Sequence, residues 1–218
     1  MTSMAAEDTA PASAGRRERK KQLTREALTE AAFELFAEKG FEATTVEEIA
    51  DAVDVSSRTF FRYFASKEDV ALTFQEEQLA AVLAALAARP ADEPVVTALR
   101  RSVVSIAEAC EQGDLGFDPS RFQCIQEMMS SSPALMARSL EHSQKKQADL
   151  TRVIAERMGA DPATDLRPHV VAAMGACCFR AAADMWENCP QRYTKLSEGV
   201  DAAFALIEEG VNFPSVHE

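Results

Sequence analysis

The chain is poor in the residues from which most catalytic centres are built. It has three histidines, His142, His169 and His217, none near a Ser/Asp or Cys constellation, and it has no glycine-rich phosphate loop. The reading is therefore a non-enzyme, with no catalytic residue, no metal ligand and no cofactor. Five cysteines are present, Cys110, Cys124, Cys177, Cys178 and Cys189, an odd number without the CxxC spacing of a zinc or dithiol site. Free thiols acting as small hydrophobes in a core account for them. No run of about eighteen apolar residues free of charge occurs, which argues against a membrane-spanning helix. The first twenty-five residues also lack the apolar stretch of a secretory signal. The expectation is a cytoplasmic protein with no membrane partner. Strand-period alternation is missing too.

Helical periodicity is abundant, and 47% of the 218 residues are hydrophobic, enough to bury a substantial core. Residues 1–15 are small and polar and read as a disordered tail. From Thr24 to Lys39 apolar residues recur at Leu28, Ala31, Ala32, Leu35 and Phe36, and Gly40 stops the helix. Thr45 opens a short helix as a capping box with Glu48. Asp54 and Val55 break it, and residues 58–64 form a second short helix. Ser66 with Asp69 starts a long helix reaching about Arg89, and residues 90–94, bounded by two prolines, are a linker. Helical patterns then fill 95–112, 119–129, 133–158, 165–188 and 195–209. The fold class is all-α, with about nine helices.

Net charge is −12, and its distribution matters more than its sum. Residues 1–67 carry ten Lys/Arg against twelve Asp/Glu, whereas residues 68–218 carry thirteen against twenty-three. Within the first stretch, Arg16, Arg17, Arg19, Lys20, Lys21 and Arg25 are opposed only by Glu18, and Arg58, Arg62 and Lys67 lie in a segment without acids. An acidic body with two basic patches suits a specific, salt-sensitive contact with an anion at one end. The run 16–21 reads either as a solubilising tail or as an arm reaching a minor groove.

Two short helices with a tight break, the second bearing exposed arginines and hydroxyls, meet the needs of a helix-turn-helix. The second helix must enter a groove about 12 Å wide and offer side chains to base edges. Ile49, Ala50, Val53, Val55, Phe60 and Phe64 are expected to pack inward, leaving Ser57, Arg58, Thr59, Phe61, Arg62 and Tyr63 outside.

The stretch TREALTEAAFELFAEKGFEATTVEEIADAVDVSSRTFFRYFASKEDV, from Thr24 to Val70, strongly resembles the DNA-binding domain of the TetR (tetracycline repressor) family. The resemblance implies a flexible basic arm over 1–22, a three-helix helix-turn-helix domain over 23–70, and a helical ligand-binding and dimerisation domain over 71–218. It also implies a homodimer on palindromic double-stranded operator DNA, released when a small, largely apolar inducer binds. The alternative kept open is a DNA-binding regulator or activator without an inducer. Carried over by position, Ser57, Arg58 and Thr59 fall where bases are read. Tyr63 and Lys67 fall where phosphates are held, and Thr45 at a helix start aimed at the backbone; Arg25 and Arg62 complete the DNA set. Many members have glycine in place of Arg58, which here adds a bidentate donor suited to guanine, and tyrosine in place of Phe61, which here suits a thymine methyl.

Beyond residue 90 the resemblance weakens. The helix over 165–188 is apolar around most of its circumference and, with a stripe at Val200, Phe204, Ile207 and Val211, is the expected dimer seam. The inducer is expected to meet Phe122, Ile125, Met128 and Met129 beside Arg121, with Met174 and Phe179 facing them. This part also resembles regulators that answer to acyl-CoA thioesters, in which Arg121 would meet an anionic group.

Overall fold

The computed structural model describes residues 10–189 and 191–211, and these are helical with no strand. In order they form α1 (Ala10–Lys39), α2 (Val46–Ala52), α3 (Ser57–Phe60), α4 (Lys67–Ala88), α5 (Val95–Gln112), α6 (Pro119–Ser131), α7 (Pro133–Met158), α8 (Arg167–Asn188) and α9 (Leu196–Glu209). The all-α expectation holds. The later helices begin and end within about two residues of the expected positions, but the first and third differ.

Helix α1 starts at Ala10, so the flexible arm expected over 1–22 is helical from residue 10; residues 1–9 lie outside the described residues. Periodicity could not reveal this segment, because no apolar repeat precedes Leu28 and Leu23 is exposed. What favours the helix is composition: Ala, Arg, Lys, Gln and Glu all have high intrinsic helix propensity.

The described chain forms two compact units. The first comprises Met1–Thr73 with the short segment Met128–Leu135, and the second Phe74–Glu127 with Met136–Glu218. In the first unit, Leu28, Ala32, Phe33 and Phe36 of α1 are buried together with Phe41, Ile49, Ala50, Phe60, Phe64 and Val70. Rings meet at Phe36–Phe41 and Phe60–Phe64, with centroids 5.0 and 5.7 Å apart. Gly40 ends α1 at φ +88, donating its N–H to the Phe36 carbonyl at 3.0 Å; this left-handed conformation is what glycine permits without a Cβ clash.

In the second unit, α5, α8 and α9 share a core. Ala172, Gly175, Cys178 and Ala182 form the buried face of α8, against Leu99 and Ile106 of α5 and Val200 and Phe204 of α9. Gly175 allows the close approach: a Cβ there would stand 2.8 Å from Leu99 Cδ2. Arg100 clasps Asp201 at 2.7 and 2.8 Å, which holds that carboxyl below its ordinary range, and a hydrogen bond from the Thr97 hydroxyl at 2.6 Å, followed by Arg100 at 2.5 Å, does the same for Glu208. Glu111 accepts from the Ser197 amide and hydroxyl at 2.9 and 2.7 Å, placing a carboxylate on the start of α9. Arg157 of α7 donates to the carbonyls of Arg89, Pro90 and Glu93 and so fastens the proline-bounded linker.

Helix α4 is long and apolar enough to cross a membrane by length and composition, although it carries Glu76 and Glu77. It buries Leu72, Phe74 and Leu86. Within the second unit it also offers Gln75 Oε1 to Lys146 and Ser139, and Gln78 Nε2 to Cys110.

Candidate nucleic-acid interface

Helices α2 and α3 are set by their caps. Thr45 Oγ1 accepts from the Glu48 amide at 3.3 Å, and the Glu48 carboxylate accepts from the Thr45 amide at 2.9 Å, the reciprocal pattern that the Thr-x-x-Glu spacing calls for. Glu48 also pairs with Lys39. The Lys39 pairing, followed by the Thr45 hydrogen bonds, holds its carboxyl down at about 2. Thr45 therefore acts as a helix cap, and a carboxylate already occupies the start of α2.

The turn to α3 passes through Asp54 at φ +54, a conformation that Asp tolerates better than most residues. The amides of Val53 and Val55 both donate to the Ala50 carbonyl, at 3.2 and 3.0 Å. Ser56 then caps α3: its Oγ accepts from the Thr59 amide at 3.2 Å and lies 3.1 Å from Thr59 Oγ1. Helix α3 so begins at Ser57 and is four residues long. Beyond it single bonded turns carry the chain to Phe64, where regular helix was expected. The sequence signal for the earlier start is the pair Ser56-Ser57, of which the first is a cap residue.

Phe60 is fully buried and Phe64 nearly so, which anchors α3 and turns its other side outward. Arg58, Phe61 and Arg62 are exposed, while Ser57, Thr59 and Tyr63 are half-buried at the same surface. Arg58 has no partner among the described residues. Arg62 donates to the Tyr63 hydroxyl at 3.1 Å and stacks over its ring. Burial alone would raise the Tyr63 phenol, but hydrogen bonds from Arg62 and Thr24 and the charges of Arg62 and Lys21 bring it below its ordinary value. Arg25 lies over the Phe64 ring at 5.0 Å.

Lys67, expected at a phosphate, is engaged within its own unit. Its ammonium donates to the carbonyls of Phe41, Glu42 and Thr44 at 2.8, 3.2 and 3.0 Å, and lies 4.6 Å from the centre of the Phe41 ring. An ammonium has three protons, and all three are engaged inside the unit.

The residues expected to meet an inducer are drawn from both units. Met128 and Met129 belong to the first unit, whereas Arg121, Phe122, Ile125, Met174 and Phe179 belong to the second. Arg121 leans on Asp118. Phe122 stacks on Trp186 with centroids 6.4 Å apart and meets Phe74, which itself meets Phe117. Met174 lines an open groove of about 770 Å³ on α5, α8 and α9, beside Arg100 and Ile207. Sequence reasoning missed Phe74 and Phe117, and also Lys146, whose ammonium, held at 2.5 Å from Gln75 Oε1, is pushed down by burial. A lysine among polar neighbours at helical spacing gives no sign in sequence that it points inward.

The family model described as bacterial regulatory proteins, tetR family, matches residues 28–73, and a second, described as the MftR C-terminal domain, matches residues 93–212. The HTH-type transcriptional regulator TcmR of Streptomyces glaucescens is 39% identical over 177 residues, covering 81% of this chain and 78% of its own. The fold is similar to that of Thermus thermophilus FadR in complex with lauroyl-CoA, with a TM-score of 0.57 at 24% identity over 88% of this chain and 97% of that one. It is also similar to the complex of Stenotrophomonas maltophilia SmeT with triclosan, with a TM-score of 0.56 at 18% identity over 89% and 96%. The chain therefore belongs to the TetR family and is a DNA-binding transcriptional regulator.

Proposed function

We propose that two copies of this chain repress transcription from a palindromic operator and are released when a small, largely apolar molecule binds the second unit. The observation that carries the DNA half is the surface of α3, where Arg58, Phe61 and Arg62 stand exposed over a buried Phe60. Arg58 donates two parallel hydrogen bonds to O6 and N7 of a guanine in each half-site, and Phe61 meets a thymine methyl. Ser57 and Thr59 complete the reading edge. Arg25, Arg62 and Tyr63 hold phosphates, Thr45 caps α2, and Lys67 braces the loop between α1 and α2.

Exposed apolar side chains on α8 (Val170 and Met185), on α9 (Leu206) and just past it (Val211) support pairing through these helices. For the inducer, the stacked Phe122 and Trp186 with Phe74 offer apolar faces within the second unit. Two proteins of this fold hold lauroyl-CoA and triclosan, both with large apolar portions. Lipophilic ligands should raise the melting temperature and lower DNA affinity together, since a ligand at a hundred times its Kd stabilises the folded state by about 2.7 kcal/mol.

Binding-site selection on wild type and Arg58→Ala tests the DNA half. The variant should lose roughly tenfold to a hundredfold in specific affinity and relax its preference at one base pair per half-site, as expected for a bidentate contact of about 1–3 kcal/mol. Recovery of the same motif with the same information at every position would show that Arg58 reads nothing.

A further inference from the structure

The N-terminal half of α1 has no core to hold it. From Gly15 to Ala27 every residue is exposed except the half-buried Thr24 and Arg25, and the first fully buried residue is Leu28. A helix that is polar all round needs support from side-chain pairs or from a partner. The pairs available are Glu18 with Lys21 at 3.6 Å and Gln22 with Glu26 at 2.8 Å, each contributing a few tenths of a kcal/mol.

The rest of the charge pattern opposes the helix. Arg16 and Lys20, and Arg17 and Lys21, are like charges four residues apart; Arg16 and Arg19, and Arg17 and Lys20, are like charges three apart. The first turn of α1 has no acid to offset them. Arg16, Arg17, Arg19 and Lys20 have no ion-pair partner among the described residues. A compact row of unneutralised cations on a helix becomes favourable when a polyanion lies along it.

The position of the row identifies the polyanion. Arg25, one turn beyond Lys21 on the same helix, lies 5.0 Å from the centre of the Phe64 ring, next to Tyr63, so the row runs on directly from the surface that carries Arg62 and Tyr63. From Arg16 to Leu28 the helix advances about 18 Å at 1.5 Å per residue, equal to about five base pairs at 3.4 Å each.

We propose that the exposed half of α1 is a helical rail that binds the phosphates of duplex DNA flanking each half-site, extending the contact by about five base pairs on each side. It acts as a rigid helix laid along the backbone, and it adds affinity and salt dependence without reading bases. The inference rests on α3 facing DNA.

The test uses the full chain and two duplexes carrying the same selected core, about 20 and about 40 base pairs long. Binding is followed by fluorescence anisotropy across a salt series. Wild type should bind the longer duplex more tightly. A variant with Arg16, Arg17, Arg19, Lys20 and Lys21 each changed to Gln should lose that gain, and its plot of log K against log salt should be shallower by roughly 0.9 for each phosphate contact removed. An unchanged slope and an unchanged length effect would overturn the rail. Gln22→Pro keeps every cation but breaks the helix between the row and the head. It should lose the length effect as well, and wild-type behaviour would mean a flexible arm and overturn the rigid helix. Both variants alter exposed residues, so thermal unfolding should confirm an intact fold. If wild type binds neither duplex, the reading of α3 fails and takes the rail with it; if wild type binds and only the variants behave as wild type, the rail alone fails.

Discussion

Replacing Lys67 by methionine separates two roles that one lysine could fill. Methionine keeps much of the stem and its packing but removes three donors from the carbonyls of Phe41, Glu42 and Thr44. A hydrogen bond from a charged donor contributes about 1.5–3 kcal/mol when water is excluded. The Glu42 carbonyl is exposed to solvent and the other two are only part-buried, so the expected loss for all three together is about 2 kcal/mol. For a chain of this length that corresponds to a fall in Tm of about 4–8 °C, measurable by scanning fluorimetry without DNA. DNA affinity should fall as well, because the loop that sets α2 is no longer braced, while the salt slope stays as in wild type. A lysine bound to phosphate gives the opposite pair of results: an unchanged Tm, and a slope shallower by about 0.9 per protomer. An unaltered Tm in Lys67→Met would refute the brace.

Two further substitutions probe the scaffold of the reading surface. Glu48 is held at about 2 against an ordinary 4.5, so its contribution is complete above 4.5 and is lost as pH falls toward 2. Glu48→Gln should therefore lower Tm at neutral pH, and the gap to wild type should close between these two values; a gap independent of pH would contradict the ion pair. Asp54 sits at φ +54, where glycine is relaxed and a β-branched residue is not. Chemical denaturation should find Asp54→Gly more stable by about 0.5–1 kcal/mol and Asp54→Val less stable by about 1–2 kcal/mol. Equal stabilities would mean that the turn relaxes away from this conformation.

Much of the fold was legible because its signals are local. The Thr45–Glu48 box, the stop at Gly40, and Ser66 with Asp69 each announce a helix end through groups within four residues. The buried pair Phe60 and Phe64 was equally legible from spacing. The extension of α1 was hidden because it is specified by propensity alone, with no apolar face for periodicity to register. The engagement of Lys67 was hidden for a different reason: its three acceptors lie 23 to 26 residues away and are backbone atoms, which carry no residue-type signature. The division of the expected inducer residues between the units was hidden as well. Phe122 and Met128 look alike on a helical wheel, yet the chain passes from one unit to the other between them.

That passage also governs how such a protein can be rebuilt. The backbone crosses between the units after Thr73, after Glu127 and again after Leu135, so the first unit is assembled from two separate lengths of chain. Ser132, in the shorter length, donates to Glu42 Oε1 at 2.5 Å, and Met128 and Leu135 beside it are buried. A chimera that transplants residues 1–73 onto a foreign sensor would leave those partners behind and substitute whatever the donor carries at the end of its sixth helix. Exchanging sensors between relatives thus requires three seams in the gene, with eight codons from the middle of the sensor travelling with the reader.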